Sequence, residues 1–366
     1  MQHALTYQIA LQLVPGVGDV LMKALVAYCG SAEGVFREKR HKLSKIPGVG
    51  MNTAASIAGF RDWERAESEC AWVQQNGIRA LFFTEAEYPF RLKHCSDSPG
   101  LLFVKGNMDL NARRIVGVVG TRRASRQGRA RTAQFSLELA GYGCSIVSGL
   151  AYGIDAQAHQ SAVEAGIPTG AVVAHGLDVL YPPSHHQLAR NMLAQGGAII
   201  SDQLHGMKLS PEHFPKRNRI IAGLCDALLL VESMEDGGAM ITADIAASYN
   251  RDVFAVPGRP DDPASAGCNL LIRQNRAALV CNAADMADMM GWTQQTTAAE
   301  RQLPLFRQLN PEQQSIVSVL QQGNKSVDEL FDETGISGSK LAHLLLNMEL
   351  EGLIAQLPGM NYQLRT

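Results

Sequence analysis

Between residues 80 and 285, short β-rich runs alternate with helical stretches, and run after run ends in a glycine or polar turn. The clearest strands are 115–119, 144–147, 169–174, 198–200, 227–231 and 253–256. This alternation predicts an α/β fold, a Rossmann-like, mostly parallel sheet covered on both faces. Open sheets of that kind bind ligands outside the carboxyl ends of their strands. Those ends carry Gly120-Thr121-Arg122-Arg123-Ala124-Ser125, then Ser148-Gly149 through Gly153-Ile154-Asp155, then His175-Gly176-Leu177-Asp178 running into Tyr181-Pro182. They continue with Ser201-Asp202, then Glu232 with Gly237-Gly238 and Thr242, then Pro257-Gly258. Any one of these glycines reads as a turn. Their convergence at successive strand ends points to a backbone that approaches a phosphate closely, helped by amides at helix N-termini.

Charge supports the same edge. Seven arginines lie between Asn111 and Leu137 with no acid among them: Arg113, Arg114, Arg122, Arg123, Arg126, Arg129 and Arg131. A second cluster, Phe214-Pro215-Lys216-Arg217-Asn218-Arg219, opens a helix. The formal net charge of the whole chain is −2, so any basic surface is local. A phosphate track fits both runs, and Phe214 is either a buried aromatic or a ring that stacks on a base.

Several enzymatic signatures are missing. There is no P-loop, and Gly117-Val118-Val119-Gly120-Thr121-Arg122 is not a dinucleotide fingerprint. No metal-spaced Cys/His cluster occurs, so no metal or cofactor is expected. Asp155 and His159, four apart, could form an acid–base pair or simply fix the loop and helix cap. The seven cysteines are odd in number and widely spaced, which predicts reduced thiols. No secretory or membrane segment is visible, and a soluble cytoplasmic protein is expected.

The flanks have a helical rhythm. Two related turns, Val14-Pro15-Gly16-Val17-Gly18 and Ile46-Pro47-Gly48-Val49-Gly50, suggest a duplicated helix-hairpin-helix (SAM-like) unit over 1–78. Such hairpins either offer amides to a phosphate or act as packing turns. The sheet domain then covers 79–290, and a polar linker 291–307. Three helices and a small hairpin over 308–366 have the order of a winged helix. From Asn310 onward that segment has Lys325, Lys340 and Arg365 against seven acids, which argues against strong duplex binding by this module.

These residues resemble the DNA processing protein A family (DprA, also called Smf). The resemblance is carried by Val118–Ser125, by Ile146–Asp155 with Ala158-His159, and by Gly176-Leu177-Asp178 with Tyr181-Pro182. It continues through Phe214–Gly223, Ala239–Ala243 and Val256-Pro257-Gly258. It implies a non-enzymatic protein that holds single-stranded DNA in the sheet crevice and dimerises through that domain. It further implies protection of incoming DNA during natural transformation, loading of the RecA recombinase and displacement of single-strand-binding protein. The implied phosphate-binding residues are Gly120, Thr121, Arg122, Arg123, Ser125, Ser148, Gly149, Gly153, Phe214, Lys216, Arg217, Asn218, Arg219, Gly237, Gly238 and Thr242. Three departures stand out: glycine where many relatives have serine before Ala239, Arg276 in place of a small residue, and Asp202 where glutamate is more frequent. The rival reading from another class is a Rossmann-like nucleotide hydrolase using Glu232, Asp155 and His159.

Overall fold

The computed structural model describes residues 2–294, 310–321, 323–350, 353–357 and 360–364. Contacts divide the chain into two compact units, 1–295 and 296–366.

The first unit is built on a nine-stranded sheet. In chain order the strands are β1 (Arg79–Phe82), β2 (Leu101–Gly106), β3 (Ile115–Val119), β4 (Ser145–Ser148), β5 (Thr169–Val172), β6 (Ala198–Ser201), β7 (Ala227–Leu230), β8 (Asp252–Ala255) and β9 (Ala278–Leu279). Their spatial order is β1-β2-β6-β5-β4-β3-β7-β8-β9. From β6 to β9 all neighbours run parallel; β1 and β2 add an antiparallel edge. The six expected strands are all present, 115–119 with the expected bounds and the others with one or both ends shifted by one or two residues, and β1, β2 and β9 are additions.

Strands β3 to β8 are four or five residues long and are covered on both faces. Nearly every residue in them is buried, as parallel strands under helices require. Successive strands from β3 step outward through β4, β5 and β6. The chain then returns to pair β7 on the other side of β3, with Val116 opposite Ala227. The loops after β3 and β7 therefore diverge from adjacent strands, the topological switch point where such sheets open a crevice. An ion pair with a buried arginine braces the start of β3 and β7. Arg91, 2% exposed, donates from Nε and Nη2 to the two oxygens of Asp226 at 2.7 and 2.8 Å. Asp226 in turn accepts the Ile115 amide at the start of β3.

The N-terminal helices pack on the β1–β2 edge. One apolar cluster joins Ile9, Leu25, Leu43 and Ile57 to Phe82, Leu101, Phe103 and Leu204. The two hairpin turns oppose each other. A Cβ on Gly16 would face Thr53, and one on Gly48 would face Leu21, so each turn abuts the helix that follows the other. Both glycines have φ near +85°, where L side chains are strained.

The second unit has helices Pro311–Leu320, Val327–Thr334 and Gly338–Leu350. Its strands are β10 (Lys325–Ser326), β11 (Ile354–Leu357) and β12 (Asn361–Leu364), in the order β10-β12-β11. Capping boxes at Asn310/Gln313 and Ser326/Glu329 start the first two helices. This is a winged helix. Its two described lysines are both engaged, Lys325 with Glu333 and Lys340 with Glu312. Arg365 and most of the expected linker lie outside the described residues. No helix among the described residues is long and apolar enough to cross a membrane.

Candidate nucleic-acid interface

At the β3/β7 switch point the structure opens a crevice of about 720 Å³. Its walls come from the loop after β3, the helix His213–Leu224, the segment 209–211, and the start of the helix Gly238–Ser248.

The loop after β3 is held by its own backbone. The Thr121 amide donates to Glu232 O at 2.7 Å, and Thr121 O accepts the Ile154 amide at 3.1 Å. Two glycines make this contact possible. A Cβ on Gly120 would lie 2.5 Å from Ile154 Cγ1, and one on Gly153 would lie 2.2 Å from Thr121 O. Gly153 also has φ +81° and ψ −123°, a conformation reserved in practice for glycine. The result projects Arg122, exposed, over the mouth of the crevice. Its guanidinium sits 5.4 Å from the centre of the Phe214 ring.

One face of the helix His213–Leu224 forms the opposite wall. Phe214, Arg217, Asn218 and Ile221 all line the crevice. Their spacing of three, four and seven is that of a single helical stripe. Phe214 is half-buried and meets the Tyr181 ring edge-on at 6.3 Å. Arg217 is only 5% exposed. It donates to Gly149 O at 2.6 Å and to Val172 O, tying the ends of β4 and β5 together. Burial pulls its pKa down to about 10, opposed by the Asp155 carboxylate, so it stays charged near neutrality. The same burial raises Asp155 above the usual carboxylate range, against the pull of Arg217. Arg217 is thus a cation in the crevice floor that also organises the loops.

The third wall is the N-terminus of the helix Gly238–Ser248, capped by Gly237. Gly238 and Ala239 line the crevice, and their amides lie in the first turn, where no intrahelical acceptor exists. Added atoms at Gly238 would meet nothing within 4 Å, so this end is open. Thr242 lines the wall one turn on, its hydroxyl donating back to Gly238 O.

Other expected site residues lie elsewhere. Ser148 is fully buried and its hydroxyl donates to Val118 O at 2.6 Å, so it joins two strands rather than facing a ligand. Ser125 caps the helix Arg126–Ala140 by accepting the Gly128 amide and borders a separate small recess. Arg123 and Lys216 are exposed but outside the crevice. Arg219 is a correction: it ion-pairs with Asp19 at 2.8 Å and Asp202 at 2.9 Å and donates to Asp97 O. These carboxylates raise its pKa against the effect of burial. It welds the N-terminal helices to the sheet and is not free for phosphate. Arg276 likewise pairs with Asp244.

The hydrolase constellation does not assemble. Glu232 accepts the Ser125 amide at 2.8 Å and borders that small recess, not the crevice. His159 is fully buried, bonded to Thr169 at 2.7 Å, and driven to a pKa of about 3 by burial. Of the three, Asp155 alone lines the crevice. Among the described residues, no group of three or more His, Cys, Asp or Glu could hold a metal ion.

Tyr181 and Ile241 lie in segments already named from the sequence, where their side chains have no assigned role, and Leu209 and Met234 lie outside those segments, so the apolar rim comes from the structure. Leu209, Met234 and Ile241 line the crevice and are nearly half exposed, as is Tyr181. Met234 and Ile241 flank the Gly237-Gly238 turn, whose position at a strand end is the signal that could have found them. Leu209 belongs to an irregular segment whose sequence has no period to read.

Comparison with known proteins places this architecture. A model of the DNA recombination-mediator protein A family matches residues 79–291, and one of the DprA winged helix domain matches 297–360. The chain is 32% identical to Protein Smf of Synechocystis over 98% of both chains. It is 41% identical to the DNA processing protein DprA of Streptococcus pneumoniae over 54% of this chain and 70% of that one. The crystal structure of DprA from S. pneumoniae superposes with a TM-score of 0.63 at 31% identity, covering 79% of this chain and 98% of the other. A structure of DNA processing protein A from Helicobacter pylori, described for its single-stranded DNA binding mode, matches with a TM-score of 0.53 at 26% identity. It covers 59% of this chain and 97% of the other.

Proposed function

Because the chain belongs to the DNA recombination-mediator protein A (DprA/Smf) family, we propose that it binds single-stranded DNA in the switch-point crevice and acts as a recombination mediator. The observation that carries this reading is the pairing of cations with an apolar, aromatic wall. Arg122 overhangs Phe214 at the mouth, Arg217 lies in the floor, and Tyr181, Leu209, Met234 and Ile241 form the rim. Phosphates meet the guanidinium groups and the open amides at Gly238 and Ala239, while bases lie against Phe214 and the rim. Phosphate contacts and stacking carry no base-edge readout, so binding is indifferent to sequence. Family membership supports the further parts of the proposal. These are dimerisation through the sheet domain, action in the cytoplasm, displacement of single-strand-binding protein, loading of a RecA-type recombinase and protection of DNA during transformation. The proposed role is binding without catalysis, consistent with Glu232 and His159 being turned to structural tasks.

The test is Arg122→Ala, with labelled oligothymidine titrated by fluorescence anisotropy over a salt series. Losing one phosphate contact is expected to reduce the slope of log K against log salt by about 0.7, with affinity down several-fold at low salt. An unchanged slope and affinity would refute this site.

A further inference from the structure

The N-terminal unit carries a strongly basic surface that the crevice does not use. In the stretch 37–45, Arg37, Lys39, Arg40, His41, Lys42 and Lys45 are all exposed. Two acids reduce this charge: Glu33 pairs with Arg37 at 2.6 Å, and Glu38 with Lys42 at 3.3 Å. Lys39, Arg40 and Lys45 have no ion pair among the described residues. The chain as a whole is slightly acidic, so this concentration stands out from the composition.

The patch runs directly into the second hairpin turn, Ile46–Gly50, where Pro47, Gly48 and Gly50 are exposed and the helix Met51–Ala58 begins. No acid occupies that helix's first turn. The first hairpin differs. Its helix starts with Asp19, whose carboxylate accepts the Gly100 amide at 2.8 Å and pairs with Arg219. The two turns are equally exposed, but the first is followed by an acid that is tied to Gly100 and Arg219, while the second has no acid in its helix's first turn and lies beside six basic side chains. The patch has no aromatic ring to stack a base. Phe36, just before it, is locked among Tyr7, Phe60 and Trp63. Cations without stacking platforms suit a backbone whose bases are already paired.

We propose that this surface binds the phosphate backbone of duplex DNA, separately from the crevice, so that one protein holds a single strand and the adjoining duplex. Lys39, Arg40 and Lys45 supply the free charges, and the hairpin amides at Gly50 and Met51 add the positive end of the helix.

The experiment compares the full-length wild type, the triple variant Lys39→Ala/Arg40→Ala/Lys45→Ala, and Arg122→Ala. Each is titrated with a labelled blunt duplex and with labelled oligothymidine across a salt series. Three phosphate contacts give a slope of about −2.7, which is about a 40-fold loss of duplex affinity between 50 and 200 mM salt. The triple variant is expected to lose that component of the slope and bind duplex at least tenfold more weakly at low salt, with oligothymidine binding unchanged. Arg122→Ala is expected to show the reverse pattern. Duplex binding that is absent in the wild type, or equal in the triple variant and wild type, overturns the proposal. So does a duplex loss confined to Arg122→Ala, which would place both DNA forms in the crevice. Failure of oligothymidine binding alone would count against the crevice and leave this surface standing.

Discussion

Gly153→Ala is the sharpest test of how the crevice is held open. At φ +81° and ψ −123°, an alanine is strained by about 1–3 kcal/mol. Its methyl would also lie 2.2 Å from Thr121 O and 2.7 Å from the Arg122 carbonyl atoms, all backbone, so no flexible side chain can yield. Overpacking of that kind costs roughly 1–3 kcal/mol more. The sum, about 2–6 kcal/mol, would lower the urea midpoint by about 0.7–2 M for an m-value near 3 kcal/mol/M. The loop that must retreat carries Arg122, so oligothymidine affinity should fall as well, even where the protein remains folded. Gly238→Ala is the control for stability: its methyl meets nothing within 4 Å and its φ is not positive, so the midpoint should hold. Equal midpoints and equal oligothymidine affinities for Gly153→Ala and wild type would refute the claim that this glycine fixes the loop.

Two further outcomes follow from buried polar groups. Burial depresses the His159 pKa to about 3, below its unfolded value of about 6.5, so the unfolded chain binds the extra proton. The associated stability is fully present above pH 6.5 and is lost as pH falls toward 3, by about 3 kcal/mol at pH 4.5. Urea midpoints of His159→Gln should therefore drop less between pH 7 and 4.5 than those of wild type; parallel curves would exclude the effect. Arg219→Leu removes the shared partner of Asp19 and Asp202 and should cost about 2–3 kcal/mol by denaturation. Its oligothymidine affinity should be unchanged, and a large loss would return Arg219 to the binding surface.

The parallel strands were legible because strands buried on both faces read as short apolar runs between turns, as in Ile115–Val119 and Ala227–Leu230. β1 and β2 were harder to see. They form an antiparallel edge whose residues serve the N-terminal helices, and their sequence position before the βα repeat hides that role. At the site, the glycine turns and Arg122 could be read directly. The cluster Lys216-Arg217-Asn218-Arg219 was over-read, because charge was counted without helical phase. Residues two apart on a helix point about 200° apart, so Arg217 and Arg219 leave the helix on different faces and meet different partners. The acids that claim Arg219 lie 200 and 17 residues away, and no local pattern announces them. Ser148 failed for a related reason: its burial follows from β4 lying inside the sheet, one residue before the turn that looks functional.

The shared core between the N-terminal helices and the sheet edge has a consequence for how such a chain can be rearranged. A cut at residue 79 looks harmless on paper, yet it would strip cover from Phe82, Leu101 and Phe103 and leave Arg219 facing one carboxylate instead of two. Residues 296–366 form a compact unit of their own, built around its own apolar cluster. Gene fusions, tags and lineage-specific gain or loss of modules should therefore collect at the carboxyl-terminal side, while the first 78 residues travel with the sheet as inherited baggage that cannot be shed cheaply.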